Sequence, residues 1–371
     1  MSTALPIALQ LGLRRLRGAW RQALTDRAYG RQLAEFQRFH AGLPDPRNAV
    51  YMFFTSGLLH WLHRALKFVP PEVNVVLLGS GLDADEIAWI RSHYDRPFHV
   101  VDARVDDIIV LDFILRTTRH HFGWLHIDCF VLNPEIFPEM TTLGEDVVAN
   151  CIWSHPGAGG VETLHSAFVF LNHEAIEAVR RAGVEVSAST YSYTGSSVGR
   201  TATDRALYSR VPAPRQIELL RKVLPPDPTG VPLYSQEGGY FQLLVMLQLL
   251  AQALGYRLNH VRNLVRDGSG SAAHYSNEII HVNGVATYQR TAEPARTAEN
   301  RNYFMLLQAD YAILSLMGEN LPAGYARRKE ELERELRRLG VSEEQARRNL
   351  FGFLLSRGVS QERCARILSA A

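Results

Sequence analysis

The run Val73-Asn74-Val75-Val76-Leu77-Leu78 constrains the fold more than any other part of the chain. Its apolar residues are consecutive, where a half-buried strand would alternate, so the strand they form must be covered on both faces. Its neighbours supply the covering layers. Ala49–Thr55 reads as a strand rich in apolar and aromatic residues, and Ser56–Phe68 as a helix that stops before Pro70-Pro71. Asp83–Tyr94 reads as a helix, Phe98–Val101 as a strand, Asp106–His121 as a helix and Trp124–Leu132 as a strand. This alternation predicts an α/β fold with a mostly parallel sheet flanked by helices.

Beyond residue 133 the pattern loosens. Ala167–Leu171 reads as a strand and His173–Ala182 as a helix closed by Gly183. Residues 187–204 are crowded with Ser, Thr, Gly and Tyr, and a loop of that length inside a compact domain usually carries function. Leu233–Leu254 contains a long apolar helix stopped at Gly255. Ile279–Val282 is a short strand and Asn302–Met317 a further helix. From Pro322 the chain is helical and highly charged, with an internal echo. Gly340-Val341-Ser342 returns as Gly358-Val359-Ser360, and Glu344, Arg348 and Leu350 return as Glu362, Arg366 and Leu368. Three parts are expected: a basic helical extension over 1–45, a catalytic domain over 46–320 and a helical module over 321–371.

Charge and composition narrow the function classes. The net charge of +2 gives the whole chain no pull toward nucleic acid. The positive charge gathers at the ends: residues 1–40 hold seven Arg against Asp26 and Glu35. There Leu13, Leu16, Trp20 and Leu24 recur at helical spacing, so a basic amphipathic helix is expected, able to touch an anionic membrane peripherally. No apolar stretch reaches the ~18 residues of a transmembrane helix, and Arg14, Arg15 and Arg17 interrupt any secretory signal. Cys129, Cys151 and Cys364 form no C-x-x-C pair and no disulfide framework, which fits a reducing compartment. A cytoplasmic protein is expected.

Two places offer chemistry. Gly79-Ser80-Gly81-Leu82-Asp83-Ala84 fits G-x-G-x-x-A between a strand and a helix, and Asp102 ends the next strand. Such glycines let a phosphate or methionine moiety approach the backbone while the acid binds ribose hydroxyls, as in methyltransferases and NAD-dependent oxidoreductases. A tight β-α turn also needs glycines, so both readings stand. The second place is Trp124-Leu125-His126-Ile127-Asp128-Cys129-Phe130, where strand alternation puts His126 and Asp128 on one face. An imidazole and a carboxylate so placed suit a divalent cation such as Mn²⁺ or Mg²⁺, and an unpaired Asp on so apolar a strand would be costly.

The second segment resembles the D-x-D region of GT-A fold glycosyltransferases, with His126 where the first acid is expected and Asp128 where the second is. Ser166-Ala167-Phe168-Val169-Phe170-Leu171-Asn172 resembles the strand that lines the sugar pocket. His281-Val282-Asn283-Gly284-Val285-Ala286-Thr287 is similar to the H-x-x-G-x-x-K motif of the glycogenin and galactosyltransferase-like family, with Thr287 in place of the Lys. The resemblance runs over roughly residues 48–290 in motif order. It implies a GT-A-like, Rossmann-type sheet and transfer of a sugar from a nucleotide-diphosphate donor, UDP-linked by default, to an acceptor the sequence does not identify. It implies a divalent metal, Mn²⁺ or Mg²⁺, held by Asp128 and His281 with His126. The donor would be held by Thr55, Ser56, Gly79, Asp102, His126, Ile127, Asp128, Asn172, Gly284 and, standing in for the lost Lys, Arg290. Glu237 before Gly238-Gly239 is the implied base, with Asp204 second, and Tyr191, Tyr193 and Arg200 form a lid or acceptor segment. A GT-A scaffold that binds partners without catalysis stays open, since His126 replaces an acid.

Overall fold

A computed structural model of the protein describes residues 29–101, 107–156, 161–185, 190–192, 209–210, 212–225, 240–241, 243–262, 275–282, 285, 303–317 and 321–369. Its centre is a seven-stranded sheet. In chain order the strands are β1 (Val50–Thr55), β2 (Val75–Ser80), β3 (Phe98–Val101), β4 (Phe122–Leu125), β5 (Cys129–Val131), β6 (Val147–Cys151), β7 (Ser154–Pro156), β8 (Glu162–Leu164) and β9 (Phe168–Leu171). They continue with β10 (Thr190–Ser192), β11 (Ser209–Arg210), β12 (Tyr240–Phe241), β13 (Arg257–His260) and β14 (Ile279–His281). The sheet order is β13-β6-β9-β4-β1-β2-β3. All its pairings are parallel except those of β9 with β4 and β6. The mostly parallel sheet expected from the sequence is present.

Alternate residues of the strands feed two hydrophobic layers. Val50, Met52, Phe54, Val75 and Leu77 pack on one side, and Tyr51, Val76 and Leu78 on the other. That is why β2 is apolar from Val75 to Leu78. The helices, in chain order, are α1 (residues 29–41), α2 (Leu59–Leu66), α3 (Ala84–His93), α4 (Asp107–Thr117), α5 (Ile136–Thr141), α6 (His173–Arg181), α7 (Pro214–Leu220), α8 (Leu243–Gln252), α9 (Tyr303–Ser315), α10 (Ala323–Arg338), α11 (Glu343–Ser356) and α12 (Gln361–Leu368). Phe36 of α1 packs with α4, α6, α7 and α8 on the second face; α2, α3 and α9–α12 share the first. Helices α10–α12 therefore contribute Tyr325, Leu332, Leu336, Leu350, Leu354 and Ile367 to the same core as β1 and β2.

The echo at 340 and 358 is a repeated helix-to-helix joint. Gly340 and Gly358 have φ of +71° and +83°, the left-handed conformation that favours glycine. Val341 N–H bonds Leu336 O and Val359 N–H bonds Leu354 O, at 2.9 and 3.1 Å. Ser342 and Ser360 then cap the next helices. Each joint is a Schellman stop followed by an N-cap, with a valine buried between them.

Two expectations change. The segment Trp124–Leu132 is not one strand: β4 ends at Leu125, the chain turns through His126-Ile127-Asp128 with Cys129 N–H bonded to His126 O, and β5 leaves the sheet to pair with β14. The helix expected over 106–121 stops at Thr117. The apolar helix expected within Leu233–Leu254 is α8, Leu243–Gln252, which follows β12. Among the described residues no helix is long and apolar enough to cross a membrane.

Candidate functional site

The strand order marks a candidate binding place. From β1 the chain moves outward to β2 and β3, then returns to place β4 on the other side of β1. In open α/β sheets the crevice beyond the carboxyl ends of the strands at such a reversal is the usual binding place. Here those ends are Thr55-Ser56 after β1 and His126 after β4. Ser56 N–H still bonds Ser80 O at 3.1 Å, and His126 N–H bonds Ala167 O at 2.9 Å, so both residues are held by continuation of the ladder.

At the β4 end His126, Asp128 and His281 meet. Their ligating atoms all lie within 4.8 Å of one another. Asp128 Oδ1 is 3.3 Å from His281 Nε2 and 3.9 Å from His126 Nδ1. The grouping comes from the turn and from the β5–β14 ladder, where His281 faces Cys129 and Val282 N–H bonds Asp128 O at 2.9 Å. Strand alternation, the reason expected from the sequence, plays no part. Asp128 and His281 are buried, and the His126 side chain is 26% exposed. Burial raises the Asp128 carboxyl, but the imidazoles of His281 and His126 outweigh it and hold the group below the usual carboxylate range. Burial, with His281 nearby, lowers His126.

The donor set decides which ion fits. One carboxylate oxygen and two imidazole nitrogens in reach of a common point suit a first-row divalent ion such as Mn²⁺ better than Mg²⁺, which prefers oxygen. Among the described residues this is the group of His, Cys, Asp and Glu able to hold a metal.

Other expected residues distribute as follows. Thr55 and Ser56 lie at the crevice, Ser56 exposed, and Ile127 is buried in the turn between the two ligands. Gly79 lies at the carboxyl end of β2 under Leu82, where a Cβ would stand 2.4 Å from Leu82 Cδ1 and 3.2 Å from Phe54 Cζ. Asn172 is not brought to the site. β9 runs antiparallel to β4, so its far end lies beside Phe122. There Asn172 caps α6 through Glu174 N–H at 2.9 Å and donates to Val147 O at 2.7 Å. Tyr191 lies in β10, which pairs with β11 and β12. Asp102, Tyr193, Arg200, Asp204, Glu237, Gly284 and Arg290 fall outside the described residues.

The glycine loop has a structural explanation. Asp83 accepts Glu86 N–H at 2.8 Å and Glu86 accepts Asp83 N–H at 3.1 Å, closing the start of α3 with a capping box. Glu86 also accepts Gly57 N–H at 2.8 Å and the Tyr325 hydroxyl at 2.7 Å. Two carboxylates thus occupy the helix end where an anionic cofactor would be received.

Residues not anticipated from the sequence lie around His126, Asp128 and His281. His165 lies with its ring centroid 5.1 Å from that of His281, and Trp153 at 6.0 Å. His165 immediately precedes the sugar-pocket-like segment, which was the available signal. Farther along the same edge Ser154, Glu162 and His260 cluster, with His260 Nε2 3.0 Å from Ser154 Oγ and 3.3 Å from Glu162 Oε2. Glu162 and His260, with Tyr256 and Arg257, line a cavity of about 440 Å³.

The chain is similar to known proteins over part or most of its length. Residues 26–176 match the family model described as the StrH glycosyltransferase N-terminal domain. The dTDP-dihydrostreptose--streptidine-6-phosphate dihydrostreptosyltransferase of Streptomyces griseus is 26% identical over 358 residues, covering 87% of this chain and 90% of that protein. Among solved structures, the galactosyltransferase LgtC in complex with donor and acceptor sugar analogues aligns at 13% identity and a TM-score of 0.28, over 34% of this chain and 58% of that one. The glycosyltransferase GlyE of Streptococcus pneumoniae TIGR4 aligns at 14% identity and a TM-score of 0.27, over 38% and 42%. The family model and the curated relative are both glycosyltransferases, the class that the motif order of this chain resembles.

Proposed function

We propose that the protein transfers a glycosyl group from a nucleoside-diphosphate sugar to an acceptor hydroxyl, with a divalent cation held by Asp128, His281 and His126. The observation that carries this reading is the convergence of those three side chains beyond β4, at the reversal of strand order. The donor set favours Mn²⁺. When bound, such an ion supplies positive charge against the diphosphate as it becomes the leaving group. The curated relative is named for a dTDP-linked donor, so dTDP-sugars come first for trial and UDP-sugars, the default from the sequence, second.

The remaining steps fall to the chain's own groups. Thr55 and Ser56, at the carboxyl end of β1 beside β4, would contact the nucleotide. Thr287 leaves the diphosphate without the Lys of the related motif, and Arg290 is the proposed substitute. Glu237, or Asp204, would take the acceptor proton if configuration inverts; a retaining reaction would leave that proton to the departing phosphate. The acceptor would approach along the edge where Trp153 packs on His281. The basic amphipathic N-terminus would add peripheral contact with an anionic surface.

A direct test is release of nucleoside diphosphate from dTDP- and UDP-sugars by the full chain, with and without Mn²⁺. Mn²⁺-dependent release that falls at least about 100-fold in Asp128→Ala supports the reading; loss of a single preorganised electrostatic group commonly costs that much. Release that ignores both the ion and the substitution sinks it.

A further inference from the structure

Asp128 and His281 stand at the ends of strands that pair with each other and not with the seven-stranded sheet. Asp128 leads into β5 and His281 ends β14, and these strands form a separate two-stranded ribbon. An isolated ribbon of this size is marginal in water, so whatever packs on it sets where His281 stands. One side rests on α2: the Phe130 ring is stacked on Trp61 at 6.0 Å and lies 5.7 Å from Phe68.

Arg262, just past β13, pairs with Glu278 at 3.3 Å, and the C-terminal helices supply further ties. Tyr275, which enters the ribbon, meets the Phe353 ring of α11 edge-on at 5.3 Å, and Arg357 lies 5.2 Å over the same ring. Asn277 Oδ1 accepts Ser360 N–H at 2.5 Å, at the start of α12. Arg363 Nη1 donates to Leu132 O at 2.8 Å, just past β5. Both strands are therefore tied to one short stretch of α11–α12, close in sequence to Asp128 on one side and to His281 on the other. The same module reaches the segment that follows β1. Tyr325 of α10 accepts Leu59 N–H at 3.0 Å and donates to Glu86, which holds Gly57 N–H after β1. Arg64, buried in α2, closes the far end of α12 by donating to the carbonyls of Arg366 and Ser369.

The geometry points to a positioning role for the C-terminal module: through Phe353 and Arg363 it fixes the β5–β14 ribbon so that His281 stays beside Asp128 and the cation site is formed before any ligand arrives. This rests on reading His126, Asp128 and His281 as a cation site. Neither residue touches a reacting group, so both act through the ribbon.

The test is Mn²⁺ binding to the full chain without nucleotide, read from the electron paramagnetic resonance signal of free Mn²⁺. Arg363→Ala and Phe353→Ala are expected to weaken binding about ten-fold, the usual scale for groups that orient metal ligands. Arg363→Lys, which keeps a donor, restores part of it. Arg348→Ala, which removes an exposed i,i+4 pair with Glu344 on the same helix, binds as wild type. Melting of each variant without metal accompanies the titration, since a merely structural role would lower stability and leave the affinity of the folded fraction unchanged. That result overturns the proposal, as does wild-type affinity in both Arg363→Ala and Phe353→Ala while His281→Ala has lost binding. Should wild type and His281→Ala bind alike, the cation site itself fails and the positioning role falls with it.

Discussion

Replacing Asp310 with Ala should unfasten the C-terminal helices from the sheet domain, at a cost set by three buried hydrogen bonds. Asp310, fully buried on α9, accepts His60 Nε2 at 2.6 Å, Trp61 Nε1 at 2.8 Å and Arg328 Nη2 at 2.5 Å. Burial raises its carboxyl, yet His60, Arg328 and Trp61 outweigh that and hold it at about 2, against an ordinary value of 3.8. A folded-state value below the unfolded one stabilises the fold above the unfolded value, here by about 2 kcal/mol, and this is lost as pH falls toward 2. Removing the carboxyl also strands the Arg328 guanidinium and the Trp61 N–H, so the total loss near neutrality should be about 3–5 kcal/mol. Urea unfolding followed by tryptophan fluorescence measures it. The gap between wild type and Asp310→Ala should shrink by about 1 kcal/mol between pH 5 and pH 3, as the wild type loses its advantage. Pairing Asp310→Leu with Arg328→Met should recover much of the loss, because no buried charge is then left alone. A gap below about 1 kcal/mol, or one indifferent to pH in that window, refutes the reasoning.

Two further outcomes follow from the same packing. Gly79→Ala places a Cβ against Leu82 and Phe54 and should cost about 1–3 kcal/mol of stability in chemical denaturation, without the loss of a bound anionic cofactor that the glycine-loop reading would require. Burial first, then Lys67, His93 and Arg64, lower His63 to about 4. Because the folded value lies below the unfolded 6.5, stability should fall between pH 6.5 and 4 by on the order of 2 kcal/mol. The slope should flatten in His63→Gln, as pH-dependent denaturation midpoints would show.

How far the sequence revealed this fold depends on whether each element's reason is local. β2 is legible because a strand covered on both faces is apolar at every position, and the joints at Gly340 and Gly358 because a left-handed stop and a serine cap are written in adjacent residues. β6 and β13 are not legible. In β6 the apolar run is interrupted by Asn150, whose amide donates to Met140 O and Thr142 O at the end of the preceding helix and accepts from Asn259, distant in sequence. β13 is an edge strand, Arg257-Leu258-Asn259-His260, with no apolar face to betray it. The metal set lies between these cases. His126, Asp128 and His281 announce themselves by residue type and motif order, but what joins them is a turn and a pairing across about 150 residues, and no local period encodes either. Asn172 shows the converse: its motif position suggested the sugar pocket, whereas its strand runs antiparallel and delivers it to the other end of the sheet as a helix cap.

The central claim is that a cation held by Asp128, His281 and His126 receives a nucleotide diphosphate at the carboxyl end of β4. Isothermal titration of dTDP, and then UDP, into wild type and His281→Ala with and without Mn²⁺ tests it most directly. The account predicts that nucleotide binding in the wild type requires Mn²⁺ and weakens at least about ten-fold in His281→Ala. Nucleotide binding that is the same with and without the ion, and the same in both proteins, would contradict it.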